Sequence, residues 1–238
     1  MKRQFLDRAL AATREGRAAA LATHLKSGRQ AFVEGDRVEG DLSLSGTVVD
    51  TVRATIREDR NATLPTEDGP VFVEVFNPPL RLVLVGAVHI AQPLARMAAL
   101  SGYGVTVIDP RAAFATDERF PGVTLSTDWP DEALARLKPD RRTAIVTLTH
   151  DPKIDDPALS AALKSQAYYI GALGSKKTHA GRCFRLKEAG FGDGDIARIH
   201  GPVGLSIGAL SPAEIGVSIL AQMTQVLRAD RLREKNAA

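Results

Sequence analysis

The run Gly86-Ala87-Val88-His89-Ile90-Ala91 follows a short apolar segment, Arg81 to Val85, and leads into an apolar helical stretch that reaches Leu100. Beyond it, Val105 to Ile108 ends in Asp109. An acid roughly 20 residues past the first glycine stands where a dinucleotide-binding βαβ unit keeps the carboxylate that holds a ribose hydroxyl. The turn reads G-x-V-x-x-A against the expected G-x-G-x-x-G/A. Gly86 permits the tight turn, and Ala91 is small enough for a helix to pack closely on a strand. Val88 puts a β-branched side chain where a glycine would let the backbone approach a pyrophosphate. The signature of the fold survives; that of a nicotinamide dinucleotide is weakened.

In an open parallel sheet, ligands bind beyond the carboxyl ends of the strands. Those ends deliver His89, Asp109-Pro110-Arg111, Thr149-His150-Asp151, Gly171-Ala172-Leu173-Gly174-Ser175 and a glycine-containing irregular stretch from Ile199 to Leu205. The candidate ligand-contacting residues are Gly86, His89, Asp109, His150, Asp151, Gly171, Gly174, Ser175, Lys176 and His200. With Ser175 as a helix cap, Lys176 and Lys177 occupy the first helical turn, where each cation opposes the helix dipole by roughly 0.3–1 kcal/mol. A glycine-rich turn, a helix N-terminus and two lysines together suit an anion such as phosphate. The plainer alternative sends both lysines to solvent. Equally plain readings make His89 and His150 turn residues and Asp109 a strand end. Asp151, Asp155 and Asp156 suggest a cation site, but Asp156 reads as a helix cap before Pro157, so no metal is expected. Cys183 lies mid-helix and reads as a small packed residue.

These residues need a scaffold of alternating elements. From Arg81 onward strands and helices alternate: Val123 to Leu125 (strand), Pro130 to Leu137 (helix), Ala144 to Thr149 (strand), a helix opened by Asp156-Pro157, Tyr168 to Ile170 (strand), and a helix from Lys176 to Ala189. Ser211-Pro212-Ala213-Glu214 combines a serine cap, a proline at the first helical position and an acid at the third, a capping box that opens the last helix. Such alternation predicts a Rossmann-like, doubly wound parallel sheet, an α/β fold. Residues 1–79 differ. A helix near Phe5, strands at Ala18 to Leu25, Gln30 to Glu34 and Val71 to Phe76, and a helix carrying Val48, Val49, Val52 and Ile56 predict a smaller α+β domain. Pro78-Pro79 reads as the linker to a domain of residues 80–238, whose tail, Arg228 to Ala238, is highly charged and reads as frayed.

Composition narrows the function. Of 238 residues, 44% are hydrophobic and 25% charged, the profile of an ordinary globular protein. Apolar runs fall short of the roughly 20 residues a membrane span needs. Nor does an apolar stretch follow Met1-Lys2-Arg3, so no secretory signal is expected. A single cysteine, Cys183, fits a reducing compartment, and a cytoplasmic location is expected. The net charge of +3 is mild, basic residues are scattered and only 5% of residues are aromatic, which gives nucleic-acid binding little support.

The run Tyr169 to His179, the run Ala197 to Leu205, Ile207-Gly208-Ala209 and Ser211 to Ile215 resemble, in order, the XdhC/CoxI family of accessory proteins of xanthine dehydrogenase and related molybdenum hydroxylases. The resemblance extends back through Thr149-His150-Asp151 to Gly86, about two thirds of the chain. It implies a Rossmann-like domain joined to an N-terminal XdhC-type domain. It also implies a binding and transfer role with no turnover chemistry: binding molybdenum cofactor (molybdopterin), aiding its sulfuration and delivering it to an apo-enzyme. The implied partners are a molybdenum hydroxylase apo-enzyme, a cysteine desulfurase or a paralogous accessory protein, and a second copy of the chain in a homodimer. The family's glycine-cysteine-valine-glutamate motif has as its nearest counterpart Ala31-Phe32-Val33-Glu34-Gly35, without the cysteine. Val88 and Ser206 stand where members often carry glycine and aspartate.

Two other readings remain open at the level of sequence. One is an NAD(P)-dependent oxidoreductase, with His150 as proton donor and Arg111 beside Asp109 leaving the choice of nucleotide open. The other is a non-catalytic Rossmann-like regulatory protein.

Overall fold

A break in packing at Pro78 and Pro79 divides the chain into two units, residues 1–78 and 79–238. The computed structural model describes residues 2–229; the tail expected to fray lies outside the described residues from position 230 onward.

In the first unit, α1 (Arg3–Arg14) precedes β1 (Ala19–His24), β2 (Gln30–Glu34) and β3 (Arg37–Gly40), then α2 (Gly46–Glu58), β4 (Ala62–Leu64) and β5 (Val71–Phe76). The strands form an antiparallel sheet in the order β3-β2-β1-β5-β4. Alternation along the strands gives each face a helix. Ala19, Leu21 and Phe32 meet Phe5 and Ala9 of α1, whereas Ala20, Ala22, Val33 and Val73 meet Val52 of α2. β3 and β4 escape sequence reading for different reasons: β3 is exposed throughout and so has no alternation of burial, and β4 alternates over only three residues.

The second unit runs β6 (Leu80–Val85), α3 (Ala91–Leu100), β7 (Tyr103–Ile108), β8 (Thr124–Ser126), α4 (Pro130–Leu137), β9 (Thr143–Thr147), α5 (Pro152–Lys164), β10 (Tyr169–Ala172), α6 (Lys176–Glu188), α7 (Asp193–Ile196), β11 (Ile199–His200) and α8 (Pro212–Leu227). The sheet order is β11-β10-β9-β6-β7-β8 and every pairing is parallel. Counted within this unit, that is the doubly wound order of a Rossmann fold. Leu82, Leu84, Val107 and Val146 point to the face covered by α3 and α8; Val83, Val85, Ile108 and Ile145 point to the face covered by α4, α5 and α6. A sheet buried on both sides explains why its strands read as continuous apolar runs.

The capping box of α8 is present as read. Ser211 Oγ accepts from the Glu214 amide at 3.2 Å, and Glu214 Oε2 accepts from the Ser211 amide at 2.8 Å. Two sequence readings are corrected. Asp156-Pro157 does not open a helix: α5 begins a turn earlier, with Asp151 as cap, its Oδ1 accepting from the Lys153 amide at 2.9 Å, and Pro152 at the first position. Pro157 is tolerated inside α5 because the hydrogen bond it forgoes is to the carbonyl of Lys153, on the exposed first turn. The stretch from Ile199 is not wholly irregular, since Ile199 and His200 pair with Ile170 and Gly171. Among the described residues no helix is long and apolar enough to cross a membrane.

Candidate functional site

β6 and β9 are neighbours, yet α3 and α5, which follow them, lie on opposite faces of the sheet. The loops therefore part, and their divergence opens the crevice where ligands of such folds sit. Gly86 turns there at φ 109°; a Cβ on it would stand 2.6 Å from Thr149 Cγ2, so only glycine lets the two loops touch.

Asp109, at the end of β7, is fully buried. Its Oδ2 accepts from the Ala87 amide at 2.8 Å and from Arg111 Nη2 at 2.8 Å; its Oδ1 accepts from the Arg111 amide at 3.0 Å and Arg111 Nε at 2.9 Å. Burial alone would raise its pKa, but the hydrogen bonds from Arg111 and Ala87 outweigh burial and hold it below the usual carboxylate range. This carboxylate locks the glycine turn and leaves no oxygen unbonded for a ribose. Val88 is half-buried and packs on the α3–α8 core.

A second constellation lies between the N-termini of α5 and α6. Asp151 caps α5, and Ser175 caps α6 by accepting from the Thr178 amide at 3.1 Å. A crevice of about 270 Å³ opens there, with His150 and Lys177 exposed at its mouth and Asp155, Arg182 and Arg185 along its walls. Asp155 is buried; its Oδ1 accepts from Thr149 Oγ1 at 2.7 Å and its Oδ2 from the His150 amide at 3.2 Å. Burial nevertheless raises its pKa. Arg185 grips Asp156 through two bonds of 2.5 and 3.0 Å. Arg182 is 2% exposed and donates from Nη2 to the Leu173 carbonyl at 2.9 Å, while Nε and Nη1 have no partner. Leaving such donors unmatched costs about 1–3 kcal/mol or more, and native interiors seldom keep them so.

Of the candidate residues, His150 alone lines this crevice, held in a left-handed conformation at φ 64°. Asp151 and Ser175 frame it as caps. Gly174 packs against Thr178 in the same turn, whereas Gly171 is a packing glycine, its absent Cβ 2.6 Å from Val203 Cγ2. Lys176 is exposed and does not line the crevice; Lys177 does. His89 is exposed on the turn into α3. His200 lies flat on Tyr169, ring centroids 4.7 Å apart, and burial lowers its pKa. Cys183 is half-buried, its Sγ 3.5 Å from His179 Nε2. Sequence reading did not place Arg182 and Arg185 in the site. The available signal was their helical spacing from Thr178, which sets all three on one face of α6.

A larger cavity, about 540 Å³, lies in the first unit beside the N-terminus of α2. Its buried His24 is satisfied, with Nδ1 2.7 Å from Ser27 Oγ and Nε2 2.9 Å from the Asp68 carbonyl. No unmatched donor there calls for a ligand among the described residues.

Residues 82–223 match the XdhC Rossmann domain. The chain is 35% identical over 156 residues to a probable xanthine dehydrogenase subunit of Bacillus subtilis (strain 168), covering 65% of this chain and 45% of that protein. It is 31% identical over 151 residues to the molybdenum cofactor insertion chaperone PaoD of Escherichia coli (strain K12), covering 63% of this chain and 41% of that one. The crystal structure of a xanthine dehydrogenase from Bacillus halodurans aligns with a TM-score of 0.72 and 27% identity, covering 95% of this chain and 65% of that chain. The chain thus spans less than half the length of these curated relatives.

Proposed function

Because the chain belongs to the XdhC family through its Rossmann domain at residues 82–223, we propose that it is an accessory protein of a molybdenum hydroxylase of the xanthine dehydrogenase type. Its role is to bind molybdenum cofactor and aid its insertion into the apo-enzyme. The observation that carries this reading is that the matched stretch contains the whole crevice between α5 and α6, with its buried, partly unmatched guanidinium.

The residues fit one end of such a cofactor. A phosphate finds cations and unmatched donors at Lys177 and Arg182. The metal end finds no cluster of three histidine, cysteine or acidic side chains among the described residues. Bound there, the cofactor would supply the hydroxylase with its redox centre; this chain's residues would hold and orient it. Cys183 is half-buried on α6, so we assign sulfur supply to a partner, a cysteine desulfurase or a paralogous accessory protein. Homodimerisation belongs to the same proposal.

The test is mass spectrometry of small molecules released from protein made in a host that synthesises the cofactor, together with activation of an apo-hydroxylase. Retained molybdopterin and restored activity are expected. A well-folded protein that carries no pterin and never raises apo-enzyme activity would refute the role. The strand order also suits a nicotinamide dinucleotide, but the saturated carboxylate of Asp109 and the side chain of Val88 speak against that reading.

A further inference from the structure

Arg182 sits where its own chain leaves a guanidinium half-matched. Its nearest carboxylate, Asp155, lies 3.6 Å from Nη2, beyond hydrogen-bond length, and Asp155 is already bonded to Thr149 and His150. Nε and Nη1 remain without partners. Arg185 is committed to Asp156. Lys177, at the mouth of the same crevice, has no carboxylate partner among the described residues. The first-turn amides of α6 add the positive end of a helix dipole beside these cations.

We propose that the crevice between α5 and α6 is a seat for a phosphate monoester, with the buried Arg182 guanidinium as its innermost cation and Lys177 closing over it. A tetrahedral oxyanion supplies acceptors to a planar guanidinium and carries the charge that Lys177 lacks opposite it. Equating that ester with the pterin cofactor rests on the accessory role above; the seat itself rests on the unmatched donors.

The test is calorimetry on the full chain with two probes, inorganic phosphate and phenyl phosphate. Both are expected to bind saturably, the ester at least as tightly. Lys177→Ala should weaken binding about tenfold and Arg182→Met abolish it, as loss of hydrogen bonds to a charged group predicts. Lys187→Ala, which removes a cation paired with Asp193 on the last turn of α6, should bind as the parent does. Should Arg182→Met fail to fold, Lys177→Ala decides. No saturable binding, equal loss in Lys187→Ala, or binding of phosphate without phenyl phosphate would overturn the proposal. Retention of molybdopterin separates the two readings. Pterin that survives in Lys177→Ala and Arg182→Met, while both have lost phosphate binding, places the cofactor elsewhere and spares both the seat and the accessory role. Phosphate ester binding in a parent protein that never carries pterin spares the seat and sinks the accessory role.

Discussion

Asp109 and Arg111, two residues apart, form a two-pronged ion pair, with Nε to Oδ1 at 2.9 Å and Nη2 to Oδ2 at 2.8 Å. The guanidinium also lies over the ring of Phe114, 4.7 Å from its centroid. The acid at the tip of β7 thereby faces its own neighbour, with the Ala87 amide completing the set. The pair fastens the loop after β7 to the glycine turn after β6.

Restoring the missing glycine should not restore a nicotinamide site. Val88→Gly is expected to show no binding of NAD or NADP by calorimetry, because Asp109 stays engaged, and to lose about 1 kcal/mol of stability from a half-buried side chain and added chain entropy. Saturable NAD binding by this variant would contradict the role given to Asp109.

The same carboxylate sets an acid limit. Its folded pKa lies below that of the unfolded chain, so its contribution is complete above about pH 4 and fades as pH falls through the folded value. Asp109→Asn should cost about 1–3 kcal/mol at neutral pH. Urea midpoints between pH 5 and 2 should fall less steeply for the variant than for the parent.

His179 and His200 act at milder pH. Burial depresses both, with the Arg182 charge adding to the effect at His179. Their unfolded forms take protons first, so stability is full above about pH 6.5 and declines as pH drops toward the folded values. His200→Phe keeps a ring to stack on Tyr169 and should shrink the fall in melting temperature between pH 7 and 5. An unchanged fall would assign the effect elsewhere.

Gly86→Ala should be costly at two levels: φ of 109° is strained for any L side chain, and the new methyl would meet Thr149 Cγ2 at 2.6 Å. A loss of about 1–3 kcal/mol is expected from the backbone alone, measured by chemical denaturation.

The two Asp-Pro pairs of α5 should behave differently. Asp151→Ala removes a cap and should cost about 1 kcal/mol. Asp156→Ala removes no cap; it releases Arg185 from its two bonds, and its effect should shrink as salt is added. Equal, salt-independent losses in both variants would argue against the placement of the cap.

What the sequence determined was set within short stretches of chain. Apolar runs, glycine turns and the Ser175 and Ser211 caps act over a few residues, so the alternation of strand and helix, the parallel α/β fold and the order of its motifs could be read directly. Where two local signals tie, spacing along the chain does not choose between them. Asp151-Pro152 and Asp156-Pro157 carry the same cap-then-proline pattern, and only the end of β9 and the bonds from Thr149 and His150 to Asp155 select the first. Tertiary structure alone decided the chemistry of the rim. Arg182 is unmatched because the neighbours brought to it from Leu173 and Asp155 satisfy one nitrogen and leave two. His200 is drawn onto Tyr169 by the pairing of β10 with β11. A charge's partners depend on which distant residues share its cavity, and one-dimensional spacing does not encode that distance.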